Sequence, residues 1–228
     1  MTENPLIPEI PEASFWLRFS KTGPIRFISH LDLTRTFHRA FRRAGIELKT
    51  SAGFTPHPKF SFALPLSVGM ESLAELASFT VIGTPAPQEV LSRLQKEMPA
   101  GIELLEISAS EGKFSSIAAA EYEIFLPSLL PEKIAQLEEV LSAPEILVEK
   151  KNKKGKMVEK DIRPGILSFS AAEKAGGVCL TCRLVAGGEE YLNPELLVRA
   201  MEKSFSEEEL FGKNIVRKSL FRENGERF

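Results

Sequence analysis

Ser14-Phe15-Trp16-Leu17-Arg18-Phe19, then Lys21-Thr22-Gly23-Pro24, then Ser29-His30-Leu31-Asp32-Leu33 running on to Ala44-Gly45: this stretch decides the fold. Phe15, Leu17 and Phe19 alternate, as one face of a strand does. Lys21 to Pro24 turns the chain, and Ile25–Ile28 reads as a short extended piece. Ser29 and Asp32 form a Ser-x-x-Asp start signal, akin to a capping box, for a helix over Leu31–Ala44. Leu33, Phe37, Ala40 or Phe41, and Ala44 recur at helical spacing and give that helix its apolar stripe. Gly45 stops it.

The pattern continues outward. Thr50–Pro58 is a loop carrying Gly53, Pro56 and Pro58. Lys59–Leu64 and Leu73–Ile82 read as strands. Thr84 and Pro85 suit the N-cap and first position of a helix to about Glu97, and Ile102–Ser108 is a strand. The order is β-α-β-β-α-β, the ferredoxin-like unit. The second half repeats it. Tyr122–Leu126 is a strand, Pro131–Leu141 a helix and Glu145–Glu149 a strand. Lys150–Lys160 is a lysine-rich hairpin around Gly155. Gly165–Ser170 and Val178–Val185 are strands, Asn193 and Pro194 open a helix to about Lys203, and Asn214–Phe221 closes the unit. The expected fold is therefore α+β, with two tandem ferredoxin-like units, the second with an extra basic hairpin. Residues 1–12 are a linker with a proline at every third position (Pro5, Pro8, Pro11), 13–112 the first unit and 113–228 the second.

Composition is that of an ordinary globular chain: 228 residues, 43% hydrophobic and 26% charged. No apolar run reaches the roughly 20 residues that span a bilayer. The N-terminus lacks a basic region followed by an apolar stretch, so no signal peptide is expected. With two cysteines, a secreted disulfide scaffold is not expected either. The expected location is the cytoplasm, away from the membrane. The net charge of −2 hides an asymmetry. From Phe15 to Phe60 nine lysines and arginines face two acids, Asp32 and Glu47, and all three histidines lie there too. Such a segment points to a polyanionic partner.

Within it, Arg35, Arg39 and Arg42 fall at i, i+4 and i+7 and share one helix face. With few carboxylates in the helix, they are expected to escape helix-internal ion pairs, and free guanidinium forks suit phosphate oxygens. The plainer alternative is a solvated helix face. Arg18, Lys21, His30 and Arg43 extend the basic set. Phe54, His57 and Lys59 stand in or beside a loop stiffened by Pro56 and Pro58, which could present them to a ligand. Most aromatics here sit at inward positions and read as core; Phe54 and Trp16 are the candidates for base stacking. The three histidines show no metal-ligand spacing, so no metal site is expected. Cys179 and Cys182 are three apart in a strand and point to opposite faces. No P-loop, dinucleotide fingerprint, hydrolase elbow or iron–sulfur cysteine cluster is present. No cofactor and no catalytic residue are therefore assigned.

Several segments resemble a known family. They are Arg18-Phe19-Ser20-Lys21-Thr22-Gly23, Phe27-Ile28-Ser29-His30-Leu31-Asp32-Leu33, Arg39-Ala40-Phe41-Arg42-Arg43-Ala44, Gly53 to Ala63 and Pro65-Leu66-Ser67-Val68-Gly69. Further on the match thins to Asp161-Ile162-Arg163-Pro164. These are similar to the radical-SAM-linked protein family, a bacterial domain of unknown function found fused behind, or encoded beside, a radical SAM enzyme. The resemblance implies a partner that holds the iron–sulfur cluster. Because this chain opens at Met1, that partner is expected to be separate. Asp161 and Arg163 join the candidate binding residues on this ground; read locally they are an Asp–Arg pair where a strand begins.

Three functions follow as expectations. The first is an accessory RNA-binding module, for tRNA or rRNA, serving a separate radical SAM modifying enzyme. The second is a protein-interaction module whose basic face docks that enzyme without RNA. The third is a metal-independent RNA endonuclease, with His30 or His57 as general base and Lys59 or Arg35 stabilising phosphate charge.

Overall fold

Phe15, Leu17 and Phe19 form the buried face of the first strand, β1 (Glu12–Lys21). A computed structural model describes residues 10–110, 117–151, 155–187 and 191–228. The chain is mixed α/β, with a large, mostly antiparallel sheet and four α-helices among the described residues. It divides into two compact units, 1–68 with 75–112, and 69–74 with 113–228.

In the first unit, β1 pairs antiparallel with β4 (Ile102–Ala109) and also neighbours β3 (Glu71–Ile82). The short β2 (Phe60–Phe62) pairs with β3, Phe60 opposite Phe79 and Phe62 opposite Ala77. Helix α1 (His30–Arg43) is held at its start by Ser29, whose Oγ accepts the Asp32 N–H at 3.1 Å. Its stripe is buried as expected: Leu33, Phe37, Ala40 and Phe41 join the β1 residues and Val90 and Leu94 of α2 (Pro87–Gln95) in one core.

Two boundaries differ from the sequence reading. Gly23–Phe27 is a 3-10 turn rather than an extended piece. Gly23 takes a left-handed φ of 69°, Pro24 supplies a helix-compatible φ, and the Thr22 N–H is tethered to the Gly101 carbonyl at 2.8 Å. Helix α2 starts at Pro87, because Ala86 precedes a proline and is held extended at φ −64°, ψ 139°; Thr84 caps nothing.

In the second unit, β5 (Ile117–Leu126) lies between β10 (Asn214–Arg222) and β9 (Gly177–Val185), with β8 (Ile166–Lys174) beyond β9, all antiparallel. The first residues of β3, Glu71 and Ser72, pair in parallel with Val216 and Arg217. Helix α3 (Ile134–Ser142) follows a 3-10 turn at Pro131–Lys133. Helix α4 (Pro194–Met201) is capped by the Asn193 side chain, which accepts the Glu195 N–H at 3.0 Å. The expected hairpin is β6 (Leu147–Lys151) with β7 (Met157–Asp161), a two-stranded sheet of its own. Lys153 and Lys154 at its tip, like most of the proline-rich arm, lie outside the described residues. Cys179 and Cys182 are both free and buried on β9, and burial pushes the Cys182 thiol up to about 12. The Tyr122 hydroxyl is likewise raised by burial, and it accepts from Nε of the fully buried Arg217 at 3.3 Å.

No helix among the described residues is long and apolar enough to cross a membrane.

Candidate nucleic-acid interface

The exposed face of α1 meets the chain that leaves its C-terminus. Gly45, at φ 64°, reverses the backbone there. Its N–H bonds the Arg42 carbonyl at 3.1 Å, and the Ile46 N–H bonds the Phe41 carbonyl at 3.0 Å. This is a Schellman motif, and it sets Ile46 against Phe41. The chain then runs beside the end of β3: the Ile82 N–H donates to the Glu47 carbonyl at 2.9 Å, and the Lys49 N–H to the Thr80 carbonyl at 2.8 Å. Arg93 of α2 completes the junction. Its Nη2 donates to the carbonyls of Ala44 at 2.7 Å and Gly45 at 3.0 Å, placing a cation on the negative end of α1.

The result is a groove of about 690 Å³. Arg35, His38, Arg39 and Arg42 form its α1 side. Phe41, Ile46, Leu48 and Pro58 give it apolar walls, and Glu47 borders it. Arg39 and Arg42 are exposed and have no hydrogen-bond or ion-pair partner among the described residues. Arg35 corrects one expectation, since it pairs with Asp32 at 3.1 Å within the helix. The Ser29 hydroxyl first, then the Arg35 guanidinium, hold the Asp32 carboxyl below its usual range.

His38 stands on edge to Phe60, ring centroids 5.6 Å apart, and its Nε2 is shielded without a protein partner. Burial lowers its pKa from the ordinary 6.5. A neutral, half-buried imidazole stabilises the fold fully above the unfolded value, and that contribution is lost as pH falls through the lowered folded value. The melting temperature should therefore drop as pH falls below about 6.5. His38→Leu should shrink that drop; an equal drop in the variant would exclude His38 as its source.

The loop after the groove is a closed excursion. The Ser51 N–H donates to the His57 carbonyl at 2.8 Å, and the Lys59 N–H to the Lys49 carbonyl at 2.6 Å. Phe54 and His57 are exposed on it, and Lys59 is exposed just beyond. Trp16 is half-buried on β1. His30 is exposed at the start of α1, its ring 5.3 Å from that of Phe62.

Other candidate residues do not join the groove. Arg18 pairs with Glu106 of β4 at 3.1 Å. Arg43 is held by both the carboxylate and the carbonyl of Glu97, at 2.8 and 2.6 Å. Lys21 is no surface cation: it is 1% exposed, its Nζ donates to the Arg26 carbonyl at 3.2 Å, and burial lowers its pKa against the opposing pull of Glu75. Asp161 and Arg163 belong to the second unit. There the local side-chain pair gives way to backbone bracing. The Asp161 carboxylate accepts the N–H groups of Ile146 at 2.9 Å and Arg163 at 3.0 Å, which hold its pKa down, while the Arg163 guanidinium donates to the Ile166 carbonyl. Among the described residues no three His, Cys, Asp or Glu side chains gather as metal ligands.

The profile of the family DUF2344, described as an uncharacterized protein conserved in bacteria, matches residues 15–194. The chain belongs to this family. The DUF2344 match takes in the whole groove, the 51–57 excursion, and Asp161 and Arg163; it ends at the first residue of α4. No curated protein matches the chain. The crystal structure of an unknown protein from Galdieria sulphuraria is similar over 90% of this chain and 96% of that one, at 14% identity and a TM-score of 0.28.

Proposed function

We propose that this protein is an accessory RNA-binding module that works with a separate radical SAM RNA-modifying enzyme. The observation that carries the RNA part is the pair Arg39 and Arg42, exposed and unpaired beside an apolar groove. Unpaired guanidinium forks supply phosphate contacts, and apolar walls with a fully exposed Phe54 supply faces for unstacked bases. Single-stranded RNA offers both chemistries along one backbone. The fold is read as two tandem ferredoxin-like units. The pairing orders β4-β1-β3-β2 and β10-β5-β9-β8 support that reading, each with its first strand central and its last strand beside it. The radical SAM partner rests on the family resemblance of the segments between Arg18 and Gly69.

The test is titration of the full chain with single-stranded RNA over a salt series. With Arg39, Arg42 and Lys59 on phosphates, log K should fall against log salt with a slope of about −2. Absence of binding at low salt would overturn the RNA reading. Capture of the radical SAM enzyme that survives ribonuclease would then make protein docking the role of the basic face.

A further inference from the structure

We infer that the groove beside α1 holds one unstacked guanosine residue of the RNA, with Glu47 reading the base while Arg39 and Arg42 hold its phosphates. The inference rests on the RNA-binding reading above and adds a base preference to it.

Three features of the groove select this ligand. Its volume of about 690 Å³ lies within the range of small-ligand sites. Phosphate alone would gain nothing from walls of Phe41, Ile46, Leu48 and Pro58, whereas a nucleobase face would. The third feature is Glu47. A carboxylate in a groove that three arginines also line weakens a site meant only for phosphate, and its side chain has no hydrogen-bond or ion-pair partner among the described residues. It is an acceptor waiting for donors. Its backbone is fixed on both sides, by Ile46 N–H on the Phe41 carbonyl and by Ile82 N–H on its own carbonyl.

The base chemistry then decides. Guanine presents N1–H and an N2 amino hydrogen side by side, which match the two oxygens of one carboxylate. Adenine and cytosine present an amino group beside a ring acceptor, and that acceptor repels the second oxygen. Uracil presents one imino N–H between two carbonyls. Only guanine takes both Glu47 oxygens as a pair, and such bidentate contacts discriminate between bases.

The experiment uses the full chain and labelled single-stranded oligouridylates carrying one central G, one central A, or neither. The G oligomer should bind at least about tenfold more tightly than the A oligomer. Glu47→Gln, exposed and expected to fold normally, should bring the two within about twofold, and by removing a negative charge from the groove should raise rather than lower the all-U affinity. Equal affinity for G and A, or a G preference that survives Glu47→Gln, would overturn the inference while RNA binding stands. Failure of every oligomer to bind would overturn both.

Discussion

Replacing Arg39 and Arg42 together by Glu should weaken single-stranded RNA binding on the order of 100-fold near 0.1 M salt and flatten the salt slope by about 1.4. Both side chains are exposed and make no hydrogen bond or ion pair among the described residues; Arg39 acts on Asp32 only through space, so the fold should tolerate the change. The reversal removes two counterion-releasing contacts and adds two repulsive ones at the mouth of the groove. Glu in the last turn of α1 also opposes the helix dipole, at a cost of about 0.5 kcal/mol. The Arg39→Gln, Arg42→Gln pair separates the two effects, since it removes the contacts without the repulsion and should give an intermediate loss. Thermal melting of each variant checks that the fold is intact. Unchanged RNA affinity in the Glu pair would place the phosphate contacts elsewhere.

Phe37→Ala should cost about 3–5 kcal/mol of stability, a melting temperature lower by roughly 10 °C. Phe37 is fully buried, and its ring lies 5.0 Å from that of Phe19, 5.2 Å from Phe60 and 5.4 Å from Phe62. It is thus where α1, β1 and β2 meet. Removing the ring leaves a cavity that the sheet cannot close, because β1 is pinned to β4 and β2 to β3. Phe37→Leu fills most of the space and should cost about 1–1.5 kcal/mol. That milder variant should bind RNA as the parent does, because Phe37 faces the core and no base can reach it. Reduced RNA affinity in a folded Phe37→Leu protein would mean the ring contributes to the interface after all.

What the sequence revealed was mostly local. Ser29, the spacing of Leu33, Phe37 and Phe41, and Gly45 define α1 because each acts within a turn or two of its own position. Asn193 did the same for α4. The bacterial family of unknown function was legible in the segments from Arg18 to Gly69 and is now shown over residues 15–194. The arginine stripe was legible for the same local reason as α1 itself. The groove was not, because its far wall depends on Glu47 and Lys49 bonding to Ile82 and Thr80, more than thirty residues onward. The alternation of Ile46 and Leu48 around Glu47 was the available signal. Distance along the chain also hid which cations are occupied. Glu97 and Glu106 claim Arg43 and Arg18 from far downstream. Lys21 is buried because β1 lies between β3 and β4. Arg93, which fixes the end of α1, also has a partner on its own helix, Glu89 one turn earlier. It makes that pair at 2.9 Å and still reaches the Ala44 and Gly45 carbonyls.

The most direct measurement is the map of RNA adducts on the protein. The full chain would be bound to a single-stranded oligomer carrying 4-thiouridine, photo-crosslinked, digested, and the modified peptides located by mass spectrometry. Adducts confined to residues 35–48 and the Phe54 excursion are the expected result. Strong crosslinking that spares both and falls only on the second unit, for example on β6 and β7, would contradict the placement of RNA on the α1 groove.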